Sequence, residues 1–534
     1  MASPAQTRLE AAQIAQTVRQ FFLLHSECEL LEADGSTMLL GGEASGYSLE
    51  TQGGGIVAHW WSPAYNLVRR IESAHVRGNH LRLSCRRMGQ SRSQTVWLRP
   101  RAAGKNINQD REGFRHQLLA AIRQSWPEWK ARNCGSISAP WIKVILESGD
   151  KFMAVLAAGP RENRAAHETA LTQLLIWRHS LQLRPPRKIP AGWHLIFPDP
   201  NQDLAAGPKP SSAVLPESAY ISAWKTAALR ISGLRHDRPL QLWLFTPGKP
   251  LLQPEPVPLP ALVSQIGRAP DFSQEFSAAA RELAQQAEAI CPSVKLARDN
   301  CGGACLQLHG LEIARQARGW ERSEAEFVFG LGGGEQSPLT AENWPLFQHW
   351  VSRLCQFRRA RPDNMGTQLP EEIHERNLWY TAQPEAWLQT LLRENLGALD
   401  PDWNPDRIYS QVVVSVAGDS GRLDLLLLDR AGRICILELK TSEDADFPLQ
   451  ALEYWLRIRQ LHRDGRLQAA GYFPGWELAP SAPRLYLIAP ALRRHPAHEI
   501  LLAEISAEVP ITQLLLNENW RSGPRLIERR ERRC

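Results

Sequence analysis

Between Arg422 and Lys440 the chain carries two apolar runs around a single turn, and this segment constrains the fold more than any other. Arg422 to Leu428 and Arg433 to Leu439 read as the two strands of a hairpin across Asp429-Arg430-Ala431-Gly432. Side chains alternate between the faces of a strand, so Glu438 and Lys440 share one face while Leu437 and Leu439 point to the other, into a core. Asp424 lies on the preceding strand, which the turn folds back alongside. Two carboxylates and one ammonium therefore converge at one end of a small sheet.

Adjacent carboxylates repel, and each raises the pKa of the other unless a cation lies between them. A hard divalent ion with oxygen ligands, most simply Mg²⁺, resolves that conflict. Such an ion binds a phosphate oxygen and lowers the pKa of a bound water, and a lysine beside it offsets developing negative charge. The chemistry implied is hydrolysis of a phosphodiester. The next helix, Leu449 to Leu461, carries Gln450 and Tyr454 one turn apart on one face. Upstream, the helix Pro384 to Leu399, with Pro at its first position, offers Glu385 near its start or Glu394 further on as a further carboxylate.

Asp424, then Glu438-Leu439-Lys440, then Gln450 with Tyr454, resembles the PD-(D/E)XK nuclease superfamily. The Gly421-x-x-Asp424 start and the Gln-x-x-x-Tyr helix are similar to RecB-type nuclease domains. The resemblance covers roughly residues 370–500. It implies a restriction-endonuclease-like α/β sandwich and dependence on Mg²⁺ or Mn²⁺. It implies Asp424, Glu438, the backbone carbonyl of Leu439 and Glu385 as metal ligands, Lys440 as the catalytic lysine, and Gln450 and Tyr454 as auxiliary site residues. His374 is the nearby candidate for the upstream histidine that RecB-type domains often carry.

A chain of 534 residues exceeds what one core usually holds, and its punctuation suggests four segments. Residues 1–105 read as a β-rich module opened by a helix over Leu9 to Leu24. Residues 106–250 read as an α/β domain with helices Phe114 to Trp126 and Glu168 to Leu183 and a hairpin around Ser148-Gly149-Asp150. Residues 251–365 hold a connecting α+β domain whose Pro-rich lead, Gly248 to Leu262, cannot be helical. Residues 366–534 form the nuclease-like α/β domain. The middle α/β segment parallels the last one. Leu156 and Ala158 stand where the other has Glu438 and Lys440, and Gln173 with Trp177 where it has Gln450 with Tyr454. It is either an inactive duplicate, scaffolding its partner or binding nucleic acid, or an ordinary α/β unit of the same periodicity.

The formal charge of +6 is compatible with a polyanion. Arginines cluster at Arg353, Arg358, Arg359 and Arg361 and at Arg525, Arg529, Arg530, Arg532 and Arg533, either as nucleic-acid contacts or as solvated faces. Nine scattered cysteines show no disulfide framework, which with the absence of a signal pattern leads to the expectation of a reducing cytoplasm. The longest apolar runs are strand length, so no membrane partner is expected. Cys291, Cys301, Cys305 and His309 lack the two close pairs of a zinc site, and the three cysteines read as free. Gly332-Gly333-Gly334 lacks a following Gly-Lys-Ser/Thr and reads as a turn. Asn517 to Arg521 reads as a loop packing Trp520.

The expectation is thus a metal-dependent nuclease, most simply acting on DNA in defence or repair, with a protein partner or homo-oligomer left open. The alternatives are a non-catalytic nucleic-acid-binding protein that keeps the fold, and a nuclease cleaving RNA.

Overall fold

The computed structural model describes residues 13–532 other than 200–216, 360–377 and short stretches between elements. The protein is mixed α/β and multidomain. It packs as two compact units, each assembled from separated stretches: 1–105 with 271–386, and 106–270 with 387–534. The described strands form four sheets; Val263–Ile266, from the third segment expected from the sequence, joins the sheet of the fourth, and the stretches that share a unit are not neighbours in the chain.

In the first unit, strands β1 (Cys28–Leu31), β2 (Thr37–Leu40), β3 (Gly46–Gln52), β4 (Gly55–Trp61), β5 (Asn66–Arg77), β6 (His80–Arg86) and β7 (Ser93–Pro100) form an antiparallel sheet in the order β2-β1-β7-β6-β5-β4-β3. Alternating apolar residues such as Leu81, Leu83 and Cys85 bury one face. The second sheet, β14–β18 between Val294 and Pro338, packs against helices Ala278–Ile290 and Trp344–Phe357. Cys291 and Cys355, at the ends of those helices, are joined in a disulfide, which corrects the expectation that Cys291 is free. The Cys-x₃-Cys arithmetic missed it because the partner lies 64 residues on. Arg358 is not part of a solvated basic face. It is fully buried and donates to the carbonyls of Leu308, His309, Trp379 and Ala382. Cys301 and His374 lie outside the described residues.

The second unit contains the same topology twice. In the first copy, β8 (Lys130–Cys134), β9 (Trp141–Ser148), β10 (Lys151–Ala158), β11 (Ile189–Pro198) and β12 (Leu240–Phe245) are neighbours in that order. Successive pairings are antiparallel, antiparallel, parallel and parallel. In the second, β19 (Trp403–Val416), β20 (Asp419–Asp429), β21 (Ile434–Leu439), β22 (Arg484–Pro490) and β23 (Ile511–Leu516) repeat the order and the senses. Two antiparallel edge strands extend the second copy: β13 (Val263–Ile266), drawn from just beyond the Pro-rich stretch, and β24 (Leu526–Glu531). Helices fall in matching places. α1 (Lys105–Ser125) precedes β8, α2 (Ala170–Gln182) joins β10 to β11, and α3 (Glu217–Ser232) joins β11 to β12. Likewise α4 (Pro384–Glu394) precedes β19, α5 (Phe447–Arg463) joins β21 to β22, and α6 (Ala497–Glu504) joins β22 to β23.

The copies meet through their helices. α2 packs on α6 and α3 packs on α5, a reciprocal pairing of the kind a two-fold axis produces. Leu234 follows α3 and Ile505 follows α6, and these equivalent positions form an antiparallel bridge. The amide of Arg235 donates to Glu504 O and that of Ser506 to Gly233 O, both at 2.9 Å. One apolar interior runs through both copies, including Leu171, Leu174, Ala227, Leu452, Leu456 and Leu501. The central parallel strands read as unbroken apolar runs because both of their faces are covered, and β21 is buried along its whole length.

Charge is buried in this shared interior. Arg230 on α3 donates to both carboxylate oxygens of Asp446 at 3.0 Å and to Glu453 Oε2 at 2.8 Å. Glu453 also pairs with Arg457, whose Nη1 donates to Val414 O at 2.8 Å. Thr172 on α2 donates to Asp446. Removing one member would leave a buried charge uncompensated, a loss of about 3–5 kcal/mol. Three of the C-terminal arginines are also committed to structure: Arg529 pairs with Asp400, Arg530 with Glu528 and Glu499, and Arg532 with the carbonyls of Ser506 and Ile505, while Arg533 lies outside the described residues. No helix among the described residues is long and apolar enough to cross a membrane.

Candidate active site

β20 and β21 pair with Leu425 opposite Leu437. One step on, the amide of Asp424 donates to Glu438 Oε1 at 3.3 Å, and the amide of Leu439 donates to Asp424 Oδ2 at 2.9 Å. The strands thus bring the two acidic side chains together where the hairpin ends. For Leu439 the observed contact is made by its amide, not its carbonyl. Glu438 is 3% exposed. Burial, and then the charge of Asp424, push its carboxyl well above the usual carboxylate range, while Lys440 works in the opposite direction. Lys440 leaves the strand with its backbone amide on Ile488 O at 3.0 Å and its ammonium 3.2 Å from Asp444.

Asp424 is held from its other side by residues the sequence did not single out. Gln411 lies on β19 between Ser410, opposite Leu425, and Val412, opposite Leu423, and its Nε2 donates to Asp424 Oδ1 at 3.1 Å and to Gln389 Oε1 at 2.8 Å. Gln411 has φ of 53°, a left-handed backbone that a glutamine adopts only at a cost. On α4, the side chain found in this group is the amide of Gln389, buried and one turn after Glu385 on the same face. Glu385 is half-buried and Glu394 is exposed. The spacing of Gln389 from Glu385 was the signal available in the sequence. Gln411 left none, because its role depends on strand register.

Tyr454 closes the site from α5. Burial, and then the charge of Glu438, drive its hydroxyl pKa above the ordinary phenol value, with Asp424 adding to the shift. A Cβ on Gly421 would lie 2.8 Å from Tyr454 Oη and 2.7 Å from Arg457 Nη1. The glycine three residues before Asp424 and the tyrosine four after Gln450 are therefore one steric arrangement, in which only hydrogen fits beneath the ring. Gln450 lies a turn before Tyr454 and is half-buried.

No group of three or more His, Cys, Asp or Glu side chains among the described residues is arranged to hold a metal ion. The mouth offers two adjacent carboxyls, hard oxygen donors whose mutual repulsion a divalent cation relieves. The high pKa of Glu438 marks the charge that such a cation would stabilise, so the donor set fits Mg²⁺ or Mn²⁺.

In the first copy the same positions carry other residues. Lys143 on β9 stands opposite Leu156 on β10, the counterpart of the step beyond the Leu425–Leu437 pair where the Asp424 amide meets Glu438. Trp177 on α2 takes the place of Tyr454 and reaches the equivalent neighbour, with Lys143 Nζ 5.6 Å from its ring centroid. Elsewhere, Trp520 is buried against Trp387, so the polar stretch ending at Arg521 is a packed loop.

No protein-family model matches the chain, and no curated protein matches its sequence.

Proposed function

We propose that the chain is a metal-dependent nuclease that hydrolyses phosphodiester bonds, most simply in DNA, and that its second α/β copy is a restriction-endonuclease-like sandwich. The observation that carries this reading is the direct neighbourhood of Asp424 and Glu438, with Tyr454 above them and Lys440 beside them, at the end of a three-strand meander. The strand order β19 to β23, with helices before it and after β21 and β22, supports the fold assignment.

Asp424, Glu438 and the Leu439 carbonyl would hold Mg²⁺ or Mn²⁺, which supplies positive charge at the scissile phosphate and a more acidic water. The rest falls to the side chains. Gln411 and the Leu439 amide fix the two oxygens of Asp424, so its orientation is set before substrate arrives. Lys440 is poised to orient the attacking water and offset charge on the phosphate as in-line attack proceeds. Its pairing with Asp444 holds the side chain near Glu438. The Tyr454 phenol stays protonated at neutral pH and can donate to a phosphate oxygen. Gln450 supplies a second neutral donor on the same helix face.

The test is degradation of labelled single-stranded DNA, duplex DNA and RNA by the full chain with Mg²⁺, Mn²⁺ or EDTA. Cleavage that needs the metal and falls by two orders of magnitude or more in Lys440→Ala and Asp424→Asn supports the reading, roughly what loss of one electrostatic group costs. Binding without cleavage in every metal would sink it and leave a nucleic-acid-binding protein. The RNA arm decides the sugar.

A further inference from the structure

The first copy has kept the architecture of the site and reversed its charge. Its strands place Lys143 opposite Leu156, and its helix places Trp177 against Lys143. Gln173, one turn before Trp177 on the same helix face, holds the place of Gln450. Lys143 is half-buried, and no carboxylate pairs with it among the described residues. The acidic residue four positions along on the same strand face, Glu147, is already neutralised by Lys188 at 2.8 Å and Arg132 at 3.0 Å. Leu156 and Ala158 are fully buried, so the floor is apolar and offers no metal ligand.

A lone ammonium held over an aromatic ring above an apolar floor, with a glutamine one helical turn from that ring, suits an anion. A strand phosphate is the anion that the other copy is built to meet, and a lysine with an aromatic platform is the usual means of holding a strand without cutting it. Burial depresses the Lys143 pKa, which an incoming phosphate would reverse.

We propose that the mouth of the first copy, formed by Lys143, Gln173 and Trp177, is a metal-independent site for a phosphate of a nucleic-acid strand. It rests on the reading of nucleic acid as substrate, and makes the second unit a pseudo-dimer with one cutting mouth and one holding mouth.

The experiment measures binding of a labelled single-stranded DNA oligonucleotide to the full chain in EDTA, across a salt series. Lys143→Met should raise Kd about tenfold, the scale of one charge-assisted hydrogen bond. It should also reduce the slope of log K against log salt by about 0.7, the share of one phosphate contact. Lys143→Arg, which keeps the charge, should restore both. Thermal melting checks that each variant is folded. Unchanged affinity and slope in folded Lys143→Met would overturn the proposal, as would a wild-type chain that binds no oligonucleotide in EDTA. Equally effective competition by inorganic phosphate would overturn the strand as ligand. Cleavage with Mg²⁺, read separately in wild type and Lys440→Ala, reports on the nuclease reading alone: cleavage with no Lys143 effect sinks only the holding site, and a Lys143 effect without cleavage sinks only the nuclease.

Discussion

Gly421 lies so close beneath Tyr454 that any side chain on it would touch the phenol oxygen, so two residues 33 positions apart in the chain occupy one packed arrangement at the edge of the carboxylate pair. The same glycine pairs with Val414 on β19, the strand whose carbonyl anchors Arg457.

Gly421→Ala tests this contact. Arg457 cannot swing away, because both ends of its guanidinium are bonded. The phenol must move instead, and overpacking of this kind costs about 1–3 kcal/mol. Cleavage should fall at least tenfold while Tyr454→Phe/Gly421→Ala loses little more than Tyr454→Phe alone. Additive losses would show that the glycine acts elsewhere.

Glu438 ties stability to pH. Its carboxyl titrates above the unfolded value, so the protonated form favours the folded state. That contribution is fully present below the ordinary carboxyl value of 4.5 and is lost as pH rises through the elevated one. Wild-type Tm should therefore drop relative to Glu438→Gln between mildly acidic and neutral pH. Mn²⁺ should restore it in wild type alone, by about 2.7 kcal/mol at a hundredfold excess over Kd. Parallel pH curves for the two proteins would refute the assignment.

Gln411 should separate stability from activity. Gln411→Gly relieves a left-handed backbone worth about 1–2 kcal/mol but removes the donor to Asp424. Denaturant titration should show a chain at least as stable as wild type, and the nuclease assay a weaker enzyme. A less stable variant of full activity would contradict both halves.

Arg230 links the copies. Arg230→Met strands Asp446 and Glu453 in the interior, and urea unfolding should register a loss of about 3–5 kcal/mol. Adding Glu453→Gln should recover part of it, because one orphaned charge is gone. A loss under about 1 kcal/mol would mean that the interior is wet enough to solvate both carboxylates.

The Cys291–Cys355 link closes a 64-residue separation, for which chain entropy gives a stabilisation of about 4 kcal/mol. Reduction should lower the melting temperature of the unit that contains it. Alkylation of the native, unreduced protein should leave both cysteines unlabelled, whereas labelling of both would show that the link is not formed.

Read by itself, the sequence determined the local structure around Asp424, Glu438 and Lys440. Alternation puts Glu438 and Lys440 on one strand face, the Asp429–Gly432 turn brings Asp424 alongside, and helical periodicity aligns Gln450 with Tyr454. These are short-range rules, set by a two-residue strand period and a 3.6-residue helix turn. The parallel between the middle and last segments was also legible, as shared pattern without proof of shared topology. Only the tertiary structure decided that Gln389 and Gln411 meet Asp424, that Gly421 makes room for Tyr454, that Arg230 neutralises carboxylates of the other copy, and that Cys291 joins Cys355. Each of these depends on strand register or on the packing of distant helices, where many pairings satisfy the same local pattern and burial of charge and apolar surface selects among them.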